Sequence, residues 1–309
     1  MGAAEQISPS PDLPRRRGKA AATVRLEQAI VDIVEERAPI TVRGVCYALF
    51  TQGLIPDMSV NSTGKVSRVT TDMRESGDFD WTLIVDGSRA VERVNAWRDP
   101  SRIIDAAVRT YRRDNWQDQP TLVEIWSEKA TVQGVLAPVL DELGVTFRVM
   151  KGFGSFTAVR QAAEDSLLLP EDRDGVVLYI GDWDPSGLFM SEVDLPQRLE
   201  RYGSRWQFER IALKEYDLDD LPHFDTATKA GDVRAQWYAE NTTADPLKAW
   251  ELDAMDPNDL RARVREEIES FMDMEIWDRA LVIEAKEKES MRLDRDRRRD
   301  DAQHGHRLR

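Results

Sequence analysis

The sequence predicts an α/β chain in which a helical N-terminal module precedes a parallel sheet with helices on both faces. Three observations predict it. Apolar residues recur at helical spacing in three successive segments before position 80. Strand-like and helical segments then alternate across 121–213. Finally, 176–180 is an unbroken apolar run, as a strand buried on both faces requires. At 309 residues, 41% hydrophobic and 32% charged, the chain is long enough for two globular domains with cores of their own.

The opening segment holds Ser8, Pro9, Ser10, Pro11 and Pro14, then Arg15, Arg16, Arg17, Gly18 and Lys19. It reads as a disordered basic arm, bounded at 1–22. From Val24, the apolar positions Leu26, Ile30, Ile33 and Val34 repeat at helical spacing and stop before Pro39. Thr41 is placed to cap a second helix carrying Val45, Leu49 and Phe50, and a Gly-Leu-Ile-Pro turn follows at Gly53. A third helix over 62–76 sets Val66, Val69 and Met73 on one face and is closed by Gly77. A short strand is expected over 80–86, from Trp81, Leu83, Ile84 and Val85. Three helices and a strand are the order of a winged helix, which offers its third helix to a DNA groove, and Lys65 and Arg68 share a face of that helix. An ordinary helical bundle with solvated charges fits the same pattern. This module is bounded at 23–95, and a polar, helical connector at 96–119.

In the alternating region, bounded at 120–245, strands are expected over 122–126, 145–150, 176–180 and 206–213. Between them come a helix with the stripe Val132, Val135, Leu136, Val139, Leu140 and Leu143, a helix over 156–169 after a Gly-Phe-Gly-Ser turn, and a helix over 188–199. Such sheets bind ligands at the carboxyl ends of their strands. Two acidic clusters fall there: Glu128 and Lys129 after the first strand, and Gly181-Asp182-Trp183-Asp184-Pro185-Ser186-Gly187 after the third. In extended chain residues i and i+2 face one side, so Asp182 and Asp184 can share a cavity. Their mutual repulsion is relieved by magnesium, which prefers a few carboxylates plus water and leaves positions for phosphate oxygens. The flanking glycines let the backbone turn sharply and a substrate approach closely. Alone, an Asp-x-Asp-Pro-x-Gly segment is often a turn with an Asx cap.

The remaining composition narrows the chemistry. One cysteine, Cys46, excludes an intramolecular disulfide and zinc sites built on paired cysteines; it reads as a buried filler. With His223, His304 and His306 as the only histidines, carboxylates and tyrosine are the better reagents. The net charge of −14 opposes a general coating of nucleic acid, while basic residues gather locally at Arg15 to Lys19, Arg43, Lys65 and Arg68. No apolar run is long enough to cross a bilayer, and the N-terminus lacks a signal-peptide core, so a cytoplasmic, nucleoid-associated protein without membrane contact is expected.

A glutamate just past the first strand, a helix, a second strand and then Asp-x-Asp after a very apolar third strand resemble the Toprim pattern of topoisomerases, primases and some nucleases. Glu128, Asp182 and Asp184 match its acidic triad, implying a bound Mg2+ for which Mn2+ can substitute. Lys129 matches the Glu-Lys pair of the topoisomerase VI type, where it contacts phosphate; as an isolated residue it reads equally as a surface lysine. The order of domains, with Thr41-Val42-Arg43-Gly44-Val45-Cys46-Tyr47 in the second helix, resembles the topoisomerase VI A subunit and the meiotic double-strand-break proteins across roughly 43–271, and most closely a compact bacterial or phage branch. Three segments carry that last likeness: Gly53 to Pro56, Gly181 to Gly187 and Trp250 to Ala254.

The resemblance implies that Tyr47 attacks a DNA phosphodiester, leaving a phosphotyrosyl link and a free 3′ hydroxyl, while Arg43, one turn earlier, grips the phosphate. It implies a homodimer with sites composed across subunits, and a separate ATPase subunit for strand passage. Gly44 and Cys46 depart from the family, which often has an acidic residue and a tyrosine there. Tyr47 as plain core packing is the competing reading of that residue. Two other functions are consistent with the pattern: a Toprim nuclease cutting with metal-activated water, and a noncatalytic DNA-binding regulator. A primase of this fold normally carries further domains. After the sheet, a C-terminal element is bounded at 246–285, with Glu251 and Asp253 as a helix-start charge cluster or an outer contact for a second metal, and a helix over 260–272. The tail over 286–309 is dense in mixed charge, either extended helix or disorder.

Overall fold

The computed structural model describes residues 21–85, 96–150, 156–226 and 232–307. The basic arm with Arg15 to Lys19, the Gly-Phe-Gly-Ser turn and positions 86–95 of the N-terminal module lie outside them. The described chain is a mixed α/β structure with a four-stranded parallel sheet.

Local signals account for the first three helices. Helix α1 (Ala21–Arg37) buries Leu26, Ile30, Ile33 and Val34, the stripe its spacing dictates. After the two-residue strand β1 (Ile40–Thr41), helix α2 (Val42–Thr51) starts where the Thr41 hydroxyl accepts the Gly44 N–H at 2.8 Å. Helix α3 (Val60–Ser76) buries Val66 and Met73 and ends on Gly77, whose φ of 81° caps it in the left-handed region. The strand expected over 80–86 begins later among the described residues. The Asp80 carboxylate accepts the Thr82 N–H and hydroxyl and winds Trp81–Leu83 into a 3₁₀ turn, leaving only β2 (Ile84–Val85), which pairs in parallel with β1. One apolar core joins these elements, from Leu26 and Ile30 to Val45, Leu49, Val66, Met73 and Ile84.

The polar connector contains α4 (Pro100–Thr110), capped by Asp99. The sheet follows as β3 (Thr121–Ser127), β4 (Thr146–Val149), β5 (Asp174–Ile180) and β6 (Trp206–Ala212), in the order β4-β3-β5-β6. Side chains alternate across it. Val123, Ile125, Val176, Leu178 and Ile180 pack towards α5 (Ala130–Leu143), whereas Trp126, Val177 and Tyr179 pack towards α6 (Phe156–Leu167). The helix expected over 188–199 is interrupted: α7 (Pro185–Phe189) passes through a wider π-type turn, Met190–Asp194, into α8 (Leu195–Arg201). A two-stranded antiparallel pair, β7 (Phe224–Asp225) and β8 (Lys248–Ala249), brackets α9 (Val233–Asn241).

Helix α10 (Pro257–Ser270) joins the α5 face of the sheet through Leu260, Val264 and Ile268. The guanidinium of Arg261 on α10 donates to the carbonyls of Arg37, Pro39 and Val135, fastening the N-terminal module to the sheet unit. Of the two states open for the tail, extended helix is found: α11 (Met274–Arg307) runs unbroken through the boundary at 285. It docks on the connector, with Glu287 accepting from the Tyr111 hydroxyl at 2.7 Å and from Arg113 at 2.9 Å. No helix of the described residues is long and apolar enough to cross a membrane.

Two glycines test this packing. A Cβ on Gly64 of α3 meets nothing within 4 Å, whereas one on Gly134 of α5 stands 2.8 Å from a methyl of Val85 on β2. Gly64→Ala is expected to stabilise the protein by about 1 kcal/mol through helix propensity. Gly134→Ala gains the same propensity but overpacks the seam at about 1–3 kcal/mol, so it should lower stability. Urea unfolding of both variants checks this, and an equal gain in both would remove the close approach of α5 and β2.

Candidate functional site

The carboxyl ends of β3 and β5 lie side by side, with Ser127 opposite Ile180 in parallel register. Glu128 leaves the first strand immediately and Asp182 leaves the second two residues later, which brings both acidic clusters to one end of the sheet. Glu128 feels both aspartates: burial first, and then the charges of Asp182 and Asp184, push its carboxyl up to about 7.

The Asp182-to-Gly187 loop is shaped by its own carboxylates. Asp184 accepts the Gly187 N–H at 2.6 Å and so caps α7, the Asx role its sequence context allowed. Asp182, with an 11% exposed side chain, uses Oδ1 for both the Leu252 N–H at 2.7 Å and the Lys129 ammonium at 2.8 Å. Burial raises its pKa, and Lys129 opposes the rise. The glycines act otherwise than expected. Neither Gly181 nor Gly187 has a positive φ, but a Cβ on Gly187 would stand 2.6 Å from the Asp182 carbonyl oxygen, so this position is needed for close packing of the loop on itself.

Behind the loop lies Arg210 of β6, a residue the sequence pattern did not single out. Its guanidinium donates to the carbonyls of Gly181, Asp182, Gly187, Ala212 and Leu213 and to the Ser191 hydroxyl, at 2.9 to 3.1 Å. Burial pulls its pKa down, while the neighbouring Tyr179, Glu192 and Asp182 resist that. The π-type turn matters here, because it presents Ser191 to this side chain.

The loop is also gripped from the C-terminal side. Trp183 and Trp250 exchange both backbone hydrogen bonds at 2.9 Å, an antiparallel bridge that lays Trp250 to Asp253 along the acidic loop. Asp253 then accepts from the Thr41 hydroxyl at 2.8 Å and from Lys129 at 3.0 Å. Glu251 receives both the Nε and Nη2 donors of Arg43. These two acids do more than start a helix: they join α2 to the sheet end. The links run without a break from Thr41 through Asp253 and Lys129 to Asp182. Burial would lower the Lys129 pKa, yet Asp182 and Asp253 together hold it above its ordinary value.

Arg43 and Tyr47 face the same region. The Arg43 guanidinium lies 5.7 Å from the centre of the Tyr47 ring, which also meets Phe224 edge-on at 5.8 Å. Tyr47 is 2% exposed, and its hydroxyl has no hydrogen-bond partner among the described residues. Burial and then Glu251 raise its pKa well above the usual phenol range, against the pull of Arg43. Cys46 is buried as expected, its thiol pushed up to about 11 by burial. A cavity of about 340 Å³, bounded by Asp182, Asp184, Phe224 and Glu251, opens beside these groups.

Of the sequence-derived site residues, Arg43, Tyr47, Lys129 and Asp182 therefore converge, with Glu128 and Asp184 at the same sheet end. Lys65 and Arg68 lie elsewhere, exposed on α3 and without an ion pair among the described residues. Among the described residues, no three His, Cys, Asp or Glu side chains are already arranged to hold a metal ion. In the observed arrangement the Lys129 ammonium supplies the positive charge against Asp182. No protein-family model, curated protein or solved structure matches the chain.

Proposed function

We propose that the protein cleaves DNA strands in a metal-dependent reaction of the topoisomerase VI A-subunit type, with the parallel sheet acting as a Toprim domain and α1 to α3 as a winged-helix module. One observation carries this reading: residues far apart in sequence, Arg43 and Tyr47 on α2 and Lys129 and Asp182 at the sheet end, are linked through Glu251 and Asp253, and of this group Asp182 and Glu251 line the cavity.

The donor set suits a hard cation. Carboxylate oxygens of Glu128, Asp182 and Asp184 are the ligands magnesium prefers, and Lys129 already stands as a cation among them. These three residues would hold Mg2+ or Mn2+, which supplies charge stabilisation to the phosphate. Arg43, once released from Glu251, offers a planar guanidinium to the scissile phosphate. Lys129 places an ammonium beside it. Tyr47 Oη forms the new bond to phosphorus as the bond to O3′ breaks; the phenol loses its proton and the departing oxygen gains one. Lys65 and Arg68 contact the DNA backbone from α3. The same reading carries a two-fold homodimer, a separate ATPase subunit for strand passage, and a nucleoid location.

The burial of Tyr47 favours a second reading, in which water attacks and Tyr47 packs α2 against β7. Supercoiled DNA incubated with the protein and Mg2+ or Mn2+, then treated with detergent and protease, tests both. Tyr47→Phe removes one unpartnered oxygen and keeps the ring. Loss of nicks, breaks and protein-linked ends in this variant, with DNA binding intact, supports tyrosine attack. Undiminished metal-dependent cutting supports hydrolysis, and binding without any cleavage in the wild type leaves a noncatalytic regulator.

A further inference from the structure

Two helices far apart in sequence, α4 and α11, pack together at an arginine-rich stretch of a negative protein. The segments 98–113 and 286–299 together hold twelve basic against six acidic side chains, while the whole chain carries −14. The convergence is fixed by structure: Arg299 places one guanidinium nitrogen 2.7 Å from both oxygens of the buried Asp105, and the Tyr111 and Arg113 contacts to Glu287 hold the seam further along. Between the helices lies a cleft of about 490 Å³ walled by Arg102, Arg295, Arg298 and Arg299.

The partners of these arginines are unequal. Arg299 is taken up by Asp105, and Arg295 by its neighbour Asp296 at 2.7 Å. Arg102 and Arg298 have no ion pair among the described residues. With Arg299 and Arg295 paired, the guanidinium groups of Arg102 and Arg298 are left to meet an anion in a cleft that Asp99 and Asp105 also line, and the planar fork of arginine suits phosphate oxygens. Helix α11 has 34 residues, a length of about 51 Å at 1.5 Å per residue, and arginines three or four apart on it are neighbours at roughly 5–6 Å. A long polyanion matches that shape better than a single small anion.

We infer that the cleft between α4 and α11 binds the phosphodiester backbone of nucleic acid through Arg102 and Arg298, anchoring it away from the acidic loop. The proposal rests on the strand-cleavage reading only for taking DNA as the nucleic acid probed. It accounts for the arginine density of a tail that otherwise has no role.

The test uses the full chain and a fluorescein-labelled 30-base-pair duplex in EDTA, followed by anisotropy across a salt series. Arg102→Ala/Arg298→Ala leaves the Arg299–Asp105 pair in place; it should raise Kd at least about tenfold near 0.1 M salt. The slope of log Kd against log salt should fall by about 2, at roughly 0.9 for each phosphate that the variant no longer neutralises. Arg102→Lys/Arg298→Lys, which keeps both charges, should bind within about threefold of wild type, and matched melting curves confirm folding. Binding and salt slope unchanged in the alanine pair overturn the proposal, as does a wild type that binds no duplex. Failure of the strand-cleavage reading looks different: no cutting with any metal, while arginine-dependent binding persists.

Discussion

Replacing Asp182 with alanine is expected to lower magnesium-dependent strand cleavage by about a thousandfold, the largest functional effect among single substitutions at the acidic loop. Asp182 combines the proposed metal contact with two structural ones, the Leu252 N–H and the Lys129 ammonium, so its loss also frees the Trp250-to-Asp253 segment. Two milder variants separate these roles. Asp182→Asn retains an oxygen for the Leu252 N–H but loses the charge, and it should fold while remaining inactive. Glu128 makes no hydrogen bond among the described residues, and its charge is opposed by those of Asp182 and Asp184. Glu128→Gln should therefore be no less stable than wild type and still lose about two orders of magnitude in cleavage. Cleavage rates near wild type in all three folded variants would remove the carboxylates from the reaction.

The readable parts of this chain were those decided by neighbours in sequence. The Leu26, Ile30, Ile33 and Val34 stripe, the Thr41 cap, the Gly77 stop and the alternation of strand and helix each follow from contacts within a few residues, and the structure has them. Local competition explains the misses in secondary structure. Asp80 offered its carboxylate to Thr82 and replaced most of a strand with a turn, and the helix after Pro185 widened where Ser191 meets Arg210. The site was half legible. Glu128, Asp182 and Asp184 could be placed because strand ends of a parallel sheet gather at one edge. Glu251 and Asp253 carried no such signal: their partners Arg43 and Thr41 lie 208 and 212 positions away, and the Trp183–Trp250 bridge with the Leu252 N–H on Asp182 lays them beside α2. The pairing of α4 with α11 is of the same kind, since a connector and a charged tail gave no apolar pattern that would match them.

Arg210→Leu is expected to destabilise the fold by about 3–5 kcal/mol, the largest stability effect of any side chain at the site. Between Glu209 and Ile211 in a strand of alternating character, Arg210 looks like an ordinary outward charge. In the structure it is 9% exposed and saturated by oxygen atoms from three segments of chain. Leucine would fill much of the volume but leave five carbonyl oxygens and one hydroxyl without this donor, in a place water reaches poorly. Each such group costs about 1–3 kcal/mol when unsatisfied, offset where a carbonyl already accepts another bond: Gly181 O and Ala212 O also take backbone N–H groups. Arg210→Lys keeps the charge but brings three donors instead of five, so it should lose about half as much. Urea midpoints at constant slope measure the losses. Hydrogen exchange of the Trp183, Gly187 and Leu188 amides, which are bonded to Trp250, Asp184 and Asp184 respectively, shows whether the acidic loop loosens first. A leucine variant that loses less than about 1 kcal/mol and protects those amides as wild type does would mean that the loop holds its shape without Arg210, its carboxylates positioned by Lys129, the Leu252 and Gly187 amides and the Trp183–Trp250 bridge.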